Sequence, residues 1–281
     1  MDIGTIGIWT PAAFMTGPGG INTAAELDKL GYGALWLGSA RGDLQLAEDL
    51  LRATSAIIIA TGIINIWTEP ADIVAESYHR LISEHPGRFL LGIGTGHREH
   101  NGDVAVRPLQ GLESYLDALD TAVRPVPPDH RILAALGPKV LELAAQRSAG
   151  AHPYLTTVEH TRQARDILGA AAVLAPELMV VLERDPETAR SLARRRLTDY
   201  LQMRNYVQNL RRLGFGDDDL ADGGSDRLVD ALVAWGDEAR IASRAQEHLN
   251  AGANHVCLQV LTPKGADVLE TYRRLAATIP P

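Results

Sequence analysis

The sequence holds a single cysteine, Cys257, inside the apolar run HVCLQVL (255–261). One thiol builds neither a disulfide framework nor a cysteine-based zinc site, and its setting predicts a buried core residue. No run of about 18 uninterrupted apolar residues occurs, so no membrane-spanning helix is expected. The start, MDIGTIGIWTPAAFM, has no basic segment of the secretory kind and carries Asp2, which makes the cytoplasm the expected compartment. Positive charge is not in excess either. The formal net charge is −8 and the pI about 5.6, which disfavours nucleic acid and anionic membranes as partners.

Several catalytic motifs are also missing. There is no G-x-S-x-G, and LGSARG (37–42) misses that spacing, so a serine nucleophile is not expected. H-E-x-x-H is absent, and no P-C-x-x-C accompanies HRE (97–99). Gly7-Ile8-Trp9 stands where a metal-dependent barrel hydrolase would carry His-x-His, so no metal is expected. The acidic GFGDDDLADGGSD (214–226) loses the calcium-loop pattern at Ala221 and has no terminal glutamate; it reads as a solvated linker. RSLARRR (190–196) reads as the exposed face of a helix. No repeat of solenoid period is found.

What is present is alternation. Eight apolar strand candidates run along the chain: 3–9, 34–39, 56–67, 88–95, 131–136, 151–156, 177–183 and 255–261. Helical patterns lie between them. NTAAELDKLG offers Thr23 and Glu26 as a capping box; Thr68 caps a helix with the stripe Val74, Tyr78, Leu81, Ile82; Asp185-Pro186 opens another. Eight βα units predict an α/β fold, a (β/α)8 TIM barrel forming one domain over residues 1–281. Helical stretches 186–213, 226–235 and 237–250 predict an extra helical insertion between strands seven and eight.

Chemistry in such a barrel sits where strands end. In LLGIGTGHREHNGD (90–103) the glycines Gly92, Gly94 and Gly96 lie in and at the end of strand four, and a polar loop follows. A dinucleotide-binding loop would instead open directly into a helix. Small residues here let a flat ligand approach the backbone. His97 and His100 read as ligand or catalytic contacts, or as solvated loop residues. Ser39 reads as a small residue at a pocket wall. Trp9, Trp36 and Trp67 suggest an aromatic-lined mouth. Asn65, polar within strand three, needs a partner, either internal or a ligand. Gly137-Pro138 and Thr156-Thr157 stand at helix starts, where capping and phosphate contact are both open.

Taken in order, LGYGALWLGS, IIATGIINIWTEPADIVAE, HPGRFLLGIGTG, ILAALGPKVLELAAQRSAGAHPYLTTVEHTRQAR and LNAGANHVCLQVL resemble the bacterial luciferase-like flavin and deazaflavin oxidoreductases. The resemblance covers essentially the whole chain and is nearest to the actinobacterial branch that uses coenzyme F-420, a deazaflavin. It implies a cofactor ring at the C-terminal mouth, backed by a non-proline cis peptide near Ile63, Ile64 and Asn65, with Thr95 at the ring. It implies a phosphate tail held by Gly137, Pro138, Tyr154, Thr156 and Thr157. It places His97 where relatives carry an ionisable group for proton transfer, with Trp9, Ser39, Trp67 and His100 around a small-molecule substrate. Two departures, Ser39-Ala40 for an Asp-His pair and His97 for a glutamate, speak against a sugar-phosphate substrate. The short link RPVPPDH (124–130) implies an open pocket. The activity implied is hydride transfer with coenzyme F-420. The alternatives are an FMN-dependent monooxygenase and a non-catalytic flavin-binding protein. A homodimer joined through barrel helices is also implied.

Overall fold

A computed structural model describes residues 1–102, 105 and 107–278, without the side chains of Arg98 and His100. Its strands are β1 (Ile6–Pro11), β2 (Ala34–Gly38), β3 (Ile58–Thr61), β4 (Ile64–Asn65), β5 (Phe89–Gly94), β6 (Arg131–Leu133), β7 (Gly150–Ala151), β8 (Val173–Leu174), β9 (Glu177–Val181), β10 (Val233–Trp235) and β11 (Val256–Val260). All pairings are parallel, in the order β10-β9-β11-β1-β2-β3-β5-β6-β7-β8, with β4 on β5. The result is an α/β fold built on a curled parallel sheet.

Pro176 separates β8 from β9, because proline offers no N–H to a ladder. Pairing nevertheless continues across it. The Ala175 and Glu177 amides donate to Ala151 and Pro153, both at 2.9 Å, and the Cys257 amide donates to the Pro176 carbonyl at 2.9 Å. β8 and β9 are therefore two pieces of one kinked run with β7 on one side and β11 on the other.

The helices that precede β8 are α1 (Gly17–Lys29), α2 (Gln45–Arg52), α3 (Ala71–Glu84), α4 (Arg98–Asn101), α5 (Pro108–Asp120), α6 (Pro138–Arg147) and α7 (Val158–Leu168). α8 (Pro186–Tyr200), α9 (Arg204–Arg212), α10 (Asp217–Leu220), α11 (Asp226–Leu232), α12 (Glu238–Asn250) and α13 (Val268–Ala276) complete the chain. Two helix starts differ from expectation. α1 opens at Gly17-Pro18, since proline fits a first helical turn, and Thr23 lies inside it, donating back to the Gly19 carbonyl at 3.0 Å. α3 begins at Ala71 after Pro70, so Thr68 is not its cap.

The stretch 186–213 is two helices, parted at the buried Met203. Residues 233–235 are not helical. They form β10, in register with Met179–Val181 of β9. Strand three likewise breaks into β3 and β4.

Three apolar clusters hold this together. One lies between sheet and helices and includes Leu35, Leu50, Tyr78, Phe89 and Leu116. A second fills the sheet's interior with Trp36, Ala60, Ile132 and Cys257; the thiol is fully buried. The third seats α8, α9 and α11 on Met179, Val181 and Trp235. Trp36 is therefore core, not mouth: its Nε1 donates to His255 Nε2 at 3.1 Å and its ring stacks on His152 at 4.2 Å.

Candidate functional site

At the C-terminal ends of the strands lies a cleft of about 830 Å³. Residues that follow β1 to β7 form its floor, and α8 and α9 form one wall. Of the expected site residues, Trp9, Ser39, Asn65, Thr95, His97, Gly137 and Tyr154 line it together.

The floor is set by the break in strand three. Past Ala60, the Thr61 hydroxyl replaces the ladder, accepting from the Gly92 amide at 2.7 Å and donating to the Gly92 carbonyl at 2.8 Å. A Cβ at Gly92 would lie 1.7 Å from the Thr61 carbonyl oxygen, so this glycine makes room for β3, not for a ligand. The following peptide bond, Gly62–Ile63, is cis, one residue ahead of the stretch where it was expected. Trp9 Nε1 donates to the Gly62 carbonyl at 3.3 Å. A Cβ at Gly62 would meet Trp9 Nε1 at 2.9 Å and His152 Nε2 at 3.0 Å.

β4 then restores pairing, Ile64 with Ile93 and Asn65 with Gly94. Ile64 is fully buried and does not line the cleft. Asn65 borders the cleft with its side chain already engaged. Nδ2 donates to Asn101 Oδ1 at 2.8 Å, and Oδ1 accepts from the Trp67 amide at 3.1 Å. Asn101 Nδ2 in turn donates to the carbonyls of Thr95 and His97, at 3.0 and 2.9 Å. This network fixes the turn between β5 and α4 that presents His97. Trp67 stands outside the cleft, its ring against Gly111. The side chain of His100 lies outside the described residues.

Opposite His97 stands a tyrosine cluster. The rings of Tyr206 and Tyr200 are 5.2 and 6.5 Å from the imidazole. Tyr154 donates to Gln259 Oε1 at 2.6 Å, and its oxygen shares a 2.7 Å bond with the Tyr200 hydroxyl. Arg196 Nη2 donates to Tyr200 Oη at 2.7 Å. Because the amide oxygen only accepts, the chain runs one way, from Arg196 through Tyr200 and Tyr154 to Gln259. Tyr154 thus belongs to this network at the strand ends, and Thr156 and Thr157 do not line the cleft beside it. Thr157 caps α7, accepting from the His160 amide at 3.2 Å, while the buried Thr156 hydroxyl has no partner among the described residues.

Gly137 caps α6 and lines the cleft; Pro138, its first residue, does not. A Cβ at Gly137 would meet only Arg212 Nη2, at 3.8 Å.

Burial shapes the charges below. His152 Nδ1 donates to the Ala175 carbonyl at 2.7 Å, and burial lowers this imidazole to about 4. Its Nε2 is buried at the cleft floor without a partner among the described residues. Glu177, at the start of β9, accepts from the Leu155 amide at 3.1 Å, and burial pushes its carboxyl up to about 8. Burial also raises Tyr154 and Tyr206 well above the ordinary phenol range. Among the described residues, no group of three or more His, Cys, Asp or Glu side chains is placed to hold a metal ion.

Sequence reasoning missed His152, Glu177, Arg196, Tyr200, Tyr206 and Arg212. His152 in GAHPYL and Glu177 at the head of strand candidate 177–183 were each a polar residue in an apolar strand, the one available signal. Arg196, Tyr200, Tyr206 and Arg212 lie on α8 and α9 and depend on how these fold over the strand ends.

The luciferase-like monooxygenase family model matches residues 6–255, and the chain belongs to this family. No curated protein matches it significantly in sequence. Solved structures do match in fold. An F-420-dependent secondary alcohol dehydrogenase, in complex with an F-420–acetone adduct, is 15% identical, with 99% of each chain covered and a TM-score of 0.73. The coenzyme F-420-dependent tetrahydromethanopterin reductase of Methanopyrus kandleri is 14% identical, with 99% of each chain covered and a TM-score of 0.69. The oxygenating constituent of 3,6-diketocamphane monooxygenase from Pseudomonas putida, in complex with FMN, is 14% identical, covers 99% of this chain and 98% of its own, and scores 0.67.

Proposed function

We propose that this chain is a coenzyme F-420-dependent oxidoreductase that moves a hydride to or from a small organic substrate in the cleft. In this reading the curled sheet is an eight-stranded barrel, β8 and β9 counting as one strand, with α8 to α11 and β10 inserted before the last. The observation that carries it is the cleft itself: aromatic at Trp9 and Tyr154, ionisable at His97, and cationic along α8 and α9, in a luciferase-like chain.

The residues suit such a cofactor. The open space over Gly137 at the start of α6 and the Arg212 guanidinium beside it suit an anionic tail. When bound, the deazaflavin supplies a ring carbon that takes or gives the hydride. The protein does the rest. Trp9, Ile63 and Tyr154 exclude water and orient the ring. Asn65 and Asn101 hold the turn that presents His97. The His97 imidazole takes the proton lost from an alcohol oxygen as it becomes a carbonyl, or returns it in reverse.

The second reading is an FMN-dependent monooxygenase, favoured by the FMN-bound neighbour of nearly equal structural similarity. Titrating the purified protein with each cofactor tests the choice, since Trp9 in the cleft reports occupancy by fluorescence. Saturable quenching by coenzyme F-420 is expected. Quenching by FMN alone transfers the assignment to the second reading.

A further inference from the structure

The arginines of α8 and α9 divide by partner. Away from the cleft, Arg190 pairs with Asp226 and Asp230, Arg194 with Asp226 and Arg211 with Asp217, while the exposed Arg195 faces solvent. Arg196 turns into the cleft and has no carboxylate partner among the described residues. It is nonetheless fixed. Its guanidinium lies 4.9 Å from the Tyr200 ring centre and gives one N–H to the Tyr200 hydroxyl, while its buried Nε meets no acceptor among the described residues. The buried acid that interacts with it, Glu177, stays protonated near neutrality because burial raises it to about 8, so the cation is not offset from within. The chain as a whole is net −8, yet five arginines against two glutamates line this cleft among the described residues. A pre-oriented, half-buried guanidinium with donors to spare matches the two-oxygen geometry of a carboxylate.

We propose that Arg196 reads an anionic group on the substrate, a carboxylate or similar oxyanion, at the end of the cleft where Tyr200 and Tyr206 meet His97. The inference rests on the reading of the cleft as a redox site and narrows its substrates to anions. It is separate from the tail region, where Arg212 stands over Gly137.

Calorimetry with benzoate and its neutral isostere benzamide tests it, on the protein alone and loaded with whichever cofactor binds. Benzoate should bind about tenfold or more tightly than benzamide. Arg196→Gln should erase that preference, Arg196→Lys should restore part of it, and Arg195→Gln, on the exposed face, should leave it intact. Equal binding of the pair, no benzoate binding, or a preference that survives Arg196→Gln overturns the proposal. A parallel comparison of FMN with riboflavin separates the other source of an anion. If Arg196→Gln removes the advantage of the phosphate instead, Arg196 serves the cofactor and the proposal fails. If neither cofactor binds but the benzoate preference and its loss hold, the redox reading falls and the anion site stands.

Discussion

His97 sits at the joint between β5 and α4, held by two asparagines and faced by two tyrosines. As the proton carrier it should contribute to turnover far more than to binding. His97→Ala is expected to lower kcat by about 10²–10⁴-fold with little change in cofactor affinity. Steady-state kinetics beside a fluorescence titration separates the two, and equal losses would make His97 a binding residue instead. Glu177 carries a prediction of another kind. Its carboxyl is raised from 4.5 to about 8 by burial, so the folded state holds a proton that the unfolded state has lost. The stability this contributes is fully present below about 4.5 and is lost as pH rises through about 8, at up to about 1.4 kcal/mol per pH unit. Glu177→Gln should flatten that decline, measured by urea unfolding between about pH 5 and about pH 8. A slope that survives the substitution would mean the carboxyl is not held protonated. His152 and His255 act with the opposite sign. Burial lowers both to about 4, so their stability is lost as pH falls below the ordinary imidazole value of 6.5.

At the scale of elements, the start of α6 is where fold and binding can be parted. Gly137 has an ordinary extended backbone and open space where a side chain would project. Gly137→Val should therefore leave the melting temperature nearly unchanged and weaken cofactor binding; unchanged affinity would put the tail elsewhere. Local signals made some elements legible. Thr157 before α7 and Asp185-Pro186 before α8 read correctly, because each cap is a bond within one turn of helix. The start of α1 did not, since Gly17-Pro18-Gly19-Gly20 looks like a turn and Thr23 like a cap. The break at Gly62 was expected from resemblance, yet its position depends on Thr61 bonding across to β5. RSLARRR read as a solvated face because its acids, Asp226 and Asp230, lie 32 to 40 residues onward. Only the folded helix separates Arg190 and Arg194, which take them, from Arg196, which does not.

For the whole molecule, an acidic surface and a cationic cleft favour small anionic ligands over polyanionic partners. The floor of the cleft was largely readable, since Trp9, Ser39, Thr95 and His97 follow strands that announce themselves by apolar runs. The wall was not, because α8 and α9 reach the mouth only through the packing of Leu197, Tyr206 and Leu210 on β9 and β10. Assembly as a homodimer is a further proposal, resting on the resemblance; sedimentation showing only monomer at micromolar concentration contradicts it. The central claim, that the cleft takes a deazaflavin coenzyme, is tested most directly by titrating coenzyme F-420 and FMN into the purified protein and following tryptophan fluorescence. Saturable quenching by coenzyme F-420 is expected, tighter than any response to FMN and weakened by Gly137→Val. Saturation by FMN with no response to coenzyme F-420 would contradict it.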